Sequence, residues 1–170
     1  MTGTEILSDM SAHMIKGLML HSQLADYYMF LGLEGYAKCH KKHYKKESKG
    51  WRKLSAYYIR HYNKLITEKP IENPQAIPKT WYQFIRQNVD RTTKMKAVKS
   101  GLQMWRDWET ETKELYQRYY KELIENDEVA SAIFIKQYIC DVDDEIIQIQ
   151  NYILNKESID YDMTVIIQEQ

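Results

Sequence analysis

The chain has 170 residues, enough for one compact domain, and its 44% hydrophobic content with only six glycines and three prolines favours long regular elements over a loop-rich chain. Its 24 basic and 24 acidic residues cancel, so average charge recommends neither nucleic acid nor an anionic membrane as partner. No stretch approaches the roughly 18 uninterrupted apolar residues of a membrane-spanning helix, the N-terminus lacks an export signal, and the distant Cys39 and Cys140 suggest neither a disulfide framework nor a zinc knuckle. A cytoplasmic setting without a membrane partner is expected.

Four segments carry a stripe of residues stepping alternately by four and three, as in helices packed around a shared core. The first predicted helix covers about residues 4–31, with the stripe Met10, Met14, Gly17, His21, Leu24, Tyr28 and Leu31; Gly32 follows where helix C-termini favour glycine. The second covers about 34–67, with Tyr36, His40, His43, Glu47, Gly50, Leu54, Tyr57 and His61 in register, a polar set for a buried face. All three prolines, Pro70, Pro74 and Pro78, then fall within one connection that cannot be helical. The third predicted helix, about 89–126, aligns Val98, Leu102, Trp105, Glu109, Thr112, Tyr116, Tyr119 and Leu123. The fourth, about 128–154, aligns Phe134, Tyr138, Asp141, Glu145, Gln148 and Tyr152, with a break near Asn155.

Short links within the first and last pairs predict antiparallel hairpins, and the long middle link, near residues 67–90, predicts a crossover along the bundle. The expected architecture is a single all-α domain over residues 1–170: a four-helix bundle at about 4–155 with one long crossover, then a tail at 157–170.

Glu47, Glu109 and Glu145 sit near the middle of stripes whose other members are mostly large, apolar or aromatic. Uncompensated carboxylates in such an interior cost several kcal/mol each, so they call for a cation, protons or hydrogen bonds. Carboxylates with imidazole inside a helical bundle suit iron, manganese or another divalent ion. His43, four residues before Glu47, could add the imidazole, with His40 a turn further back. The competing reading is a metal-free network satisfied by tyrosine hydroxyls, buried lysine or histidine, and water. The lysine run over residues 40–53 lies opposite Glu47 and reads as a solvated face, or a contact with acidic helices of other subunits, ahead of nucleic-acid binding.

Residues 32–59, GLEGYAKCHKKHYKKESKGWRKLSAYYI, resemble the second helix of bacterial-type ferritins, through the entry G-L-x-G-[FY]-A and the closing Y-[IL]. Ala76-Ile-Pro-Lys-Thr-Trp81 resembles the ferritin segment that leads across the bundle, and the resemblance covers roughly residues 10–155. It implies a ferritin-like fold, iron binding and storage, and a homo-oligomer forming a multi-subunit shell. It also implies metal ligands at Glu47 and Glu109 and a carboxylate group of Asp141, Asp144 and Glu145. The pattern is broken at Gly50, where the family has the histidine of Glu-x-x-His, and at Val142, often Gln or Glu. The family's first-helix glutamate falls on Met14 or, one heptad later, on His21. Half of the di-iron centre is therefore expected to be lost, leaving one ion and putting ferroxidase-type activity in question. A metal-free structural or interaction protein with the same bundle is the alternative, and a DNA-protecting relative the third. The tail residues Met163-Thr-Val-Ile-Ile167 match the place of a short fifth helix, too short to stand alone.

Overall fold

Local signals set the helix boundaries in the computed structural model, which describes residues 1–66 and 89–158. Helix α1 (Gly3–Phe30) opens on a capping box: the Thr2 hydroxyl accepts the Glu5 amide and the Glu5 carboxylate accepts the Thr2 amide. It closes at Gly32, whose φ of 73° lets Leu33 donate back to the Tyr28 carbonyl at 2.8 Å. Helix α2 (Glu34–Tyr62) ends when Asn63 turns left-handed, five residues before the expected end at residue 67. Asp90 caps α3 (Arg91–Glu125) by accepting the Thr93 amide. Asp127, also at positive φ, reverses the chain into α4 (Val129–Ser158). The break expected near Asn155 does not occur, because α4 continues through Ser158.

Cross-helix contacts fix the topology. His21 meets His40 and Ser11 meets Trp51, so α1 and α2 are antiparallel. His13 meets Thr112, while Gly101 abuts Tyr28, so α1 and α3 are antiparallel as well. Lys46 meets Glu145 and Tyr62 meets Glu128, which makes α4 antiparallel to α2. Helices α2 and α3 are thus parallel, and the end of one lies roughly 40 Å from the start of the other, given about 1.5 Å per residue. The expected crossover and the expected fifth helix lie outside the described residues. Among those described there is no strand, and no helix is long and apolar enough to cross a membrane.

Burial follows the stripes closely in α1 and α3, where every stripe residue is buried. In α4 the inward line is Ile135, Tyr138, Val142, Glu145 and Ile149, rotated from the expected one. The apolar interior divides into two clusters. One surrounds Leu24, Tyr28 and Trp105; the other surrounds Met10, Leu54, Tyr116 and Ile135. Between them, at mid-bundle, lies a layer of imidazoles and carboxylates.

Candidate metal centre

Each helix contributes to that layer. His21 comes from α1, His40, His43 and Glu47 from α2, Glu109 from α3 and Glu145 from α4. One ligand atom each from His21, Glu47, Glu109 and Glu145 lie within 4.8 Å of one another, and His21, His43 and Glu145 form a second such group. His21 Nε2 is 3.2 Å from Glu47 Oε1 and 3.8 Å from Glu109 Oε1, and His43 Nδ1 is 3.3 Å from Glu145 Oε2. These pairs have ion-pair spacing but not hydrogen-bond alignment. His21 Nε2, His43 Nδ1, Glu47 Oε2 and Glu145 Oε2 are all buried without a hydrogen-bond partner. Buried polar atoms left in this way are uncommon in native interiors. Glu47 and Glu145 border a cavity of about 60 Å³ that is also lined in part by Met14, Gly17 and Glu109.

The surroundings orient the set. Trp105 donates its indole N–H to Glu109 Oε1 one turn below, at 3.1 Å. His21 Nδ1 lies 2.9 Å from His40 Nδ1, which leaves Nε2 as the atom facing the carboxylates. Lys46 donates to Glu145 Oε1 at 2.8 Å, from a side chain still half exposed. Gly17 has no Cβ where one would come 2.9 Å from Glu47 Oε2, so its absence gives that carboxylate room.

The charges are mutually dependent. Burial alone would lower the His21 pKa, but Glu47 and Glu109 outweigh it and lift it to about 10. Burial pushes Glu109 up to about 7 against the pull of His21. Burial also raises Glu145, yet His43 and Lys46 prevail and hold it near about 2. His40 is driven well below its ordinary value by burial and by the adjacent His21 and His43.

Of the residues anticipated from sequence, Glu47, Glu109, Glu145 and His43 come together; Asp141 lines the same cavity without joining the ligand groups, and Asp144 lies outside it. Both aspartates are exposed on α4, because its rotation brings Val142 inward and spares a further carboxylate from desolvation. On α1 it is His21 that joins the layer. Met14 instead packs beside Gly50, where an added Cβ would meet Met14 Cε at 3.2 Å and Tyr138 Cε1 at 3.3 Å. The space beside Gly50 is thus filled by a thioether and an aromatic ring. His13 stacks on Trp108 and contacts Thr112, and His61 is exposed against Tyr57. Sequence reading missed Lys46 as a partner of Glu145, and only the run of polar residues on the α2 stripe hinted at His40 as support for His21.

The donor set suits one divalent ion such as Fe²⁺. Imidazole and carboxylates from four helices converge, and several of their buried lone pairs have no other partner. Met14, Tyr138 and Val142 line part of the remaining wall, beside His13 and Asp141.

No protein-family model matches the chain, and no curated protein matches it in sequence. In structure it is similar to an open-pore ferritin from the hyperthermophilic archaeon Archaeoglobus fulgidus, with a TM-score of 0.76 and 12% identity over 99% of this chain and 97% of that one. An engineered closed form of that ferritin gives 0.77 at 12% identity, covering 100% and 98%. A humanized archaeal ferritin gives 0.74 at 12% identity, again covering 100% and 98%. The fold is therefore that of the ferritin four-helix bundle.

Proposed function

We propose that this chain is a ferritin-like iron-binding protein whose bundle centre takes one ferrous ion per subunit, with His21, Glu47, Glu109 and Glu145 as ligands and His43 at the margin. The observation that carries this reading is the convergence of four potential ligands from four helices around buried, unpartnered lone pairs. Bound iron would supply redox chemistry with oxygen. The chain's own part is to hold the ion, to orient His21 through His40 and to fix the layer between two apolar clusters. Paired-iron oxidation is not proposed, because the Gly50 side carries Met14 and Tyr138 where further ligands would be needed. We further propose self-association, supported by Ile133, Ile147 and Leu154, each more than half exposed and separated by fourteen and seven residues along α4.

A second reading is favoured by one observation, the Lys46 to Glu145 hydrogen bond. A protonated His21 and Lys46 together could replace a metal as the cations of the layer, giving a metal-free structural protein. Elemental analysis of protein purified without chelator, followed by Fe²⁺ titration, separates the two. About one iron per chain, lost in His21→Gln and Glu109→Gln, is the expected result. A chain that takes up no iron, and whose unfolding midpoint ignores added Fe²⁺, establishes the metal-free reading.

A further inference from the structure

Lys38, Lys42, Lys45, Lys46, Lys49 and Lys53 line an open groove of about 810 Å³ between α2 and α4. Steps of three and four residues put neighbouring lysines about 5–6 Å apart at Cβ, along a run of about 22 Å. After Glu34, the one carboxylate on α2 is Glu47, which faces His21 inside the bundle. Across the groove, α4 offers Asp141 as a carboxylate beside the amides of Gln137 and Gln148. Among the described residues, Lys46 alone of the six forms an ion pair. A merely solvated helix face interleaves acids with bases at i, i+4. Here Lys38 and Lys42, Lys42 and Lys46, Lys45 and Lys49, and Lys49 and Lys53 repel one another instead.

We propose that this groove binds linear inorganic polyphosphate. A row of ammonium groups on flexible stems, with no arginine fork among them, suits a string of oxyanions rather than one planar anion held in two-point fashion. The length of the row calls for a chain of phosphates, since a single orthophosphate reaches only two neighbouring lysines. Nucleic acid fits less well, because base stacking needs open aromatic faces. Tyr138 is buried with its hydroxyl donated to the Gly50 carbonyl, and Tyr152 packs on the core with its hydroxyl accepting from Gln148.

The test is fluorescence anisotropy of an end-labelled polyphosphate titrated with the full chain. The expected result is saturable binding that weakens steeply with salt, and at least about a tenfold loss of affinity in Lys42→Gln/Lys45→Gln/Lys49→Gln. The control Lys41→Gln/Arg52→Gln/Arg60→Gln removes equal charge from exposed positions outside the groove and should change affinity by less than about twofold. None of the substituted residues touches the metal centre, so this result is independent of iron binding. Absence of saturable binding overturns the proposal, as does an equal loss in the control. Single-stranded DNA of matched phosphate number binding as tightly, or orthophosphate competing at equal phosphate concentration, overturns it too.

Discussion

His21 and His40 face each other through their Nδ1 atoms at 2.9 Å, so a single proton lies between two buried imidazoles. His40 is held well below its ordinary pKa, first by burial and then by its imidazole neighbours, and is therefore the acceptor. The proton belongs to His21, whose Nε2 is thereby aimed at Glu47 and Glu109. Replacing His40 by Phe keeps a ring but leaves the His21 N–H buried without a partner. A stability loss of about 1–3 kcal/mol in urea unfolding is expected, with Fe²⁺ affinity weakened about 10–100-fold. Unchanged affinity would remove His40 from its orienting role.

Lys46 donates to Glu145 Oε1 and would compete with a bound metal for that carboxylate. Lys46→Met should therefore strengthen Fe²⁺ binding. Because Lys46 is half exposed, the cost to the metal-free protein is expected to be only about 1 kcal/mol. Calorimetric titration that finds weaker binding in this variant would show that Lys46 supports the metal instead of opposing it.

At Gly101 α3 passes close against α1, since a Cβ there would overlap the hydroxyl of fully buried Tyr28. An aromatic ring packed on all sides cannot swing away. Gly101→Ala should destabilise the bundle by about 1–3 kcal/mol, measured by urea unfolding. Tyr28→Phe removes an oxygen that has no hydrogen-bond partner, so alone it should be nearly neutral. Combined with Gly101→Ala it should recover part of the loss; no recovery would place the strain elsewhere.

The metal-free protein should have a pH optimum on the acid side of neutrality. His21, raised from 6.5 to about 10, contributes stability that is complete below 6.5 and is lost as pH rises through about 10. Glu109, raised from 4.5 to about 7, loses its contribution between those values in the same direction. Glu145, lowered from 4.5 to about 2, contributes stability above 4.5 that disappears as pH falls toward about 2. Urea midpoints of chelator-treated protein should accordingly decline from pH 5 to 9, and His21→Gln should flatten the limb above 6.5. Fe²⁺ binding must displace the His21 proton, so its affinity should increase with pH over the same range.

Self-association is tested by light scattering on the intact chain and on one ending at Ser158, which keeps α4 whole. A multimer is expected for the first and a smaller species for the second. A monomeric intact chain removes the proposal, and equal masses remove the tail's part in it.

The sequence alone determined the four helices of the described residues, their pairing and most of their inward faces. Period and turn chemistry are local, and they were unambiguous in α1 and α3, where apolar residues leave a single choice of stripe. It also determined that three glutamates would meet, because each sits at mid-stripe. In α4 the period was ambiguous. Phe134 and Ile135, Asp141 and Val142, and Gln148 and Ile149 are adjacent pairs, so two stripes differ by a small rotation, and the energetic preference for burying Val142 over Asp141 emerges only against the other helices. The choice between Met14 and His21 was likewise tertiary, since both lie on one stripe and only the axial register of α1 against α2 and α3 decides which one reaches Glu47. Lys46 could not be read as a partner of Glu145. It adjoins Glu47 in sequence and points to another face, and its flexible stem crosses to α4 only once the two helices are packed.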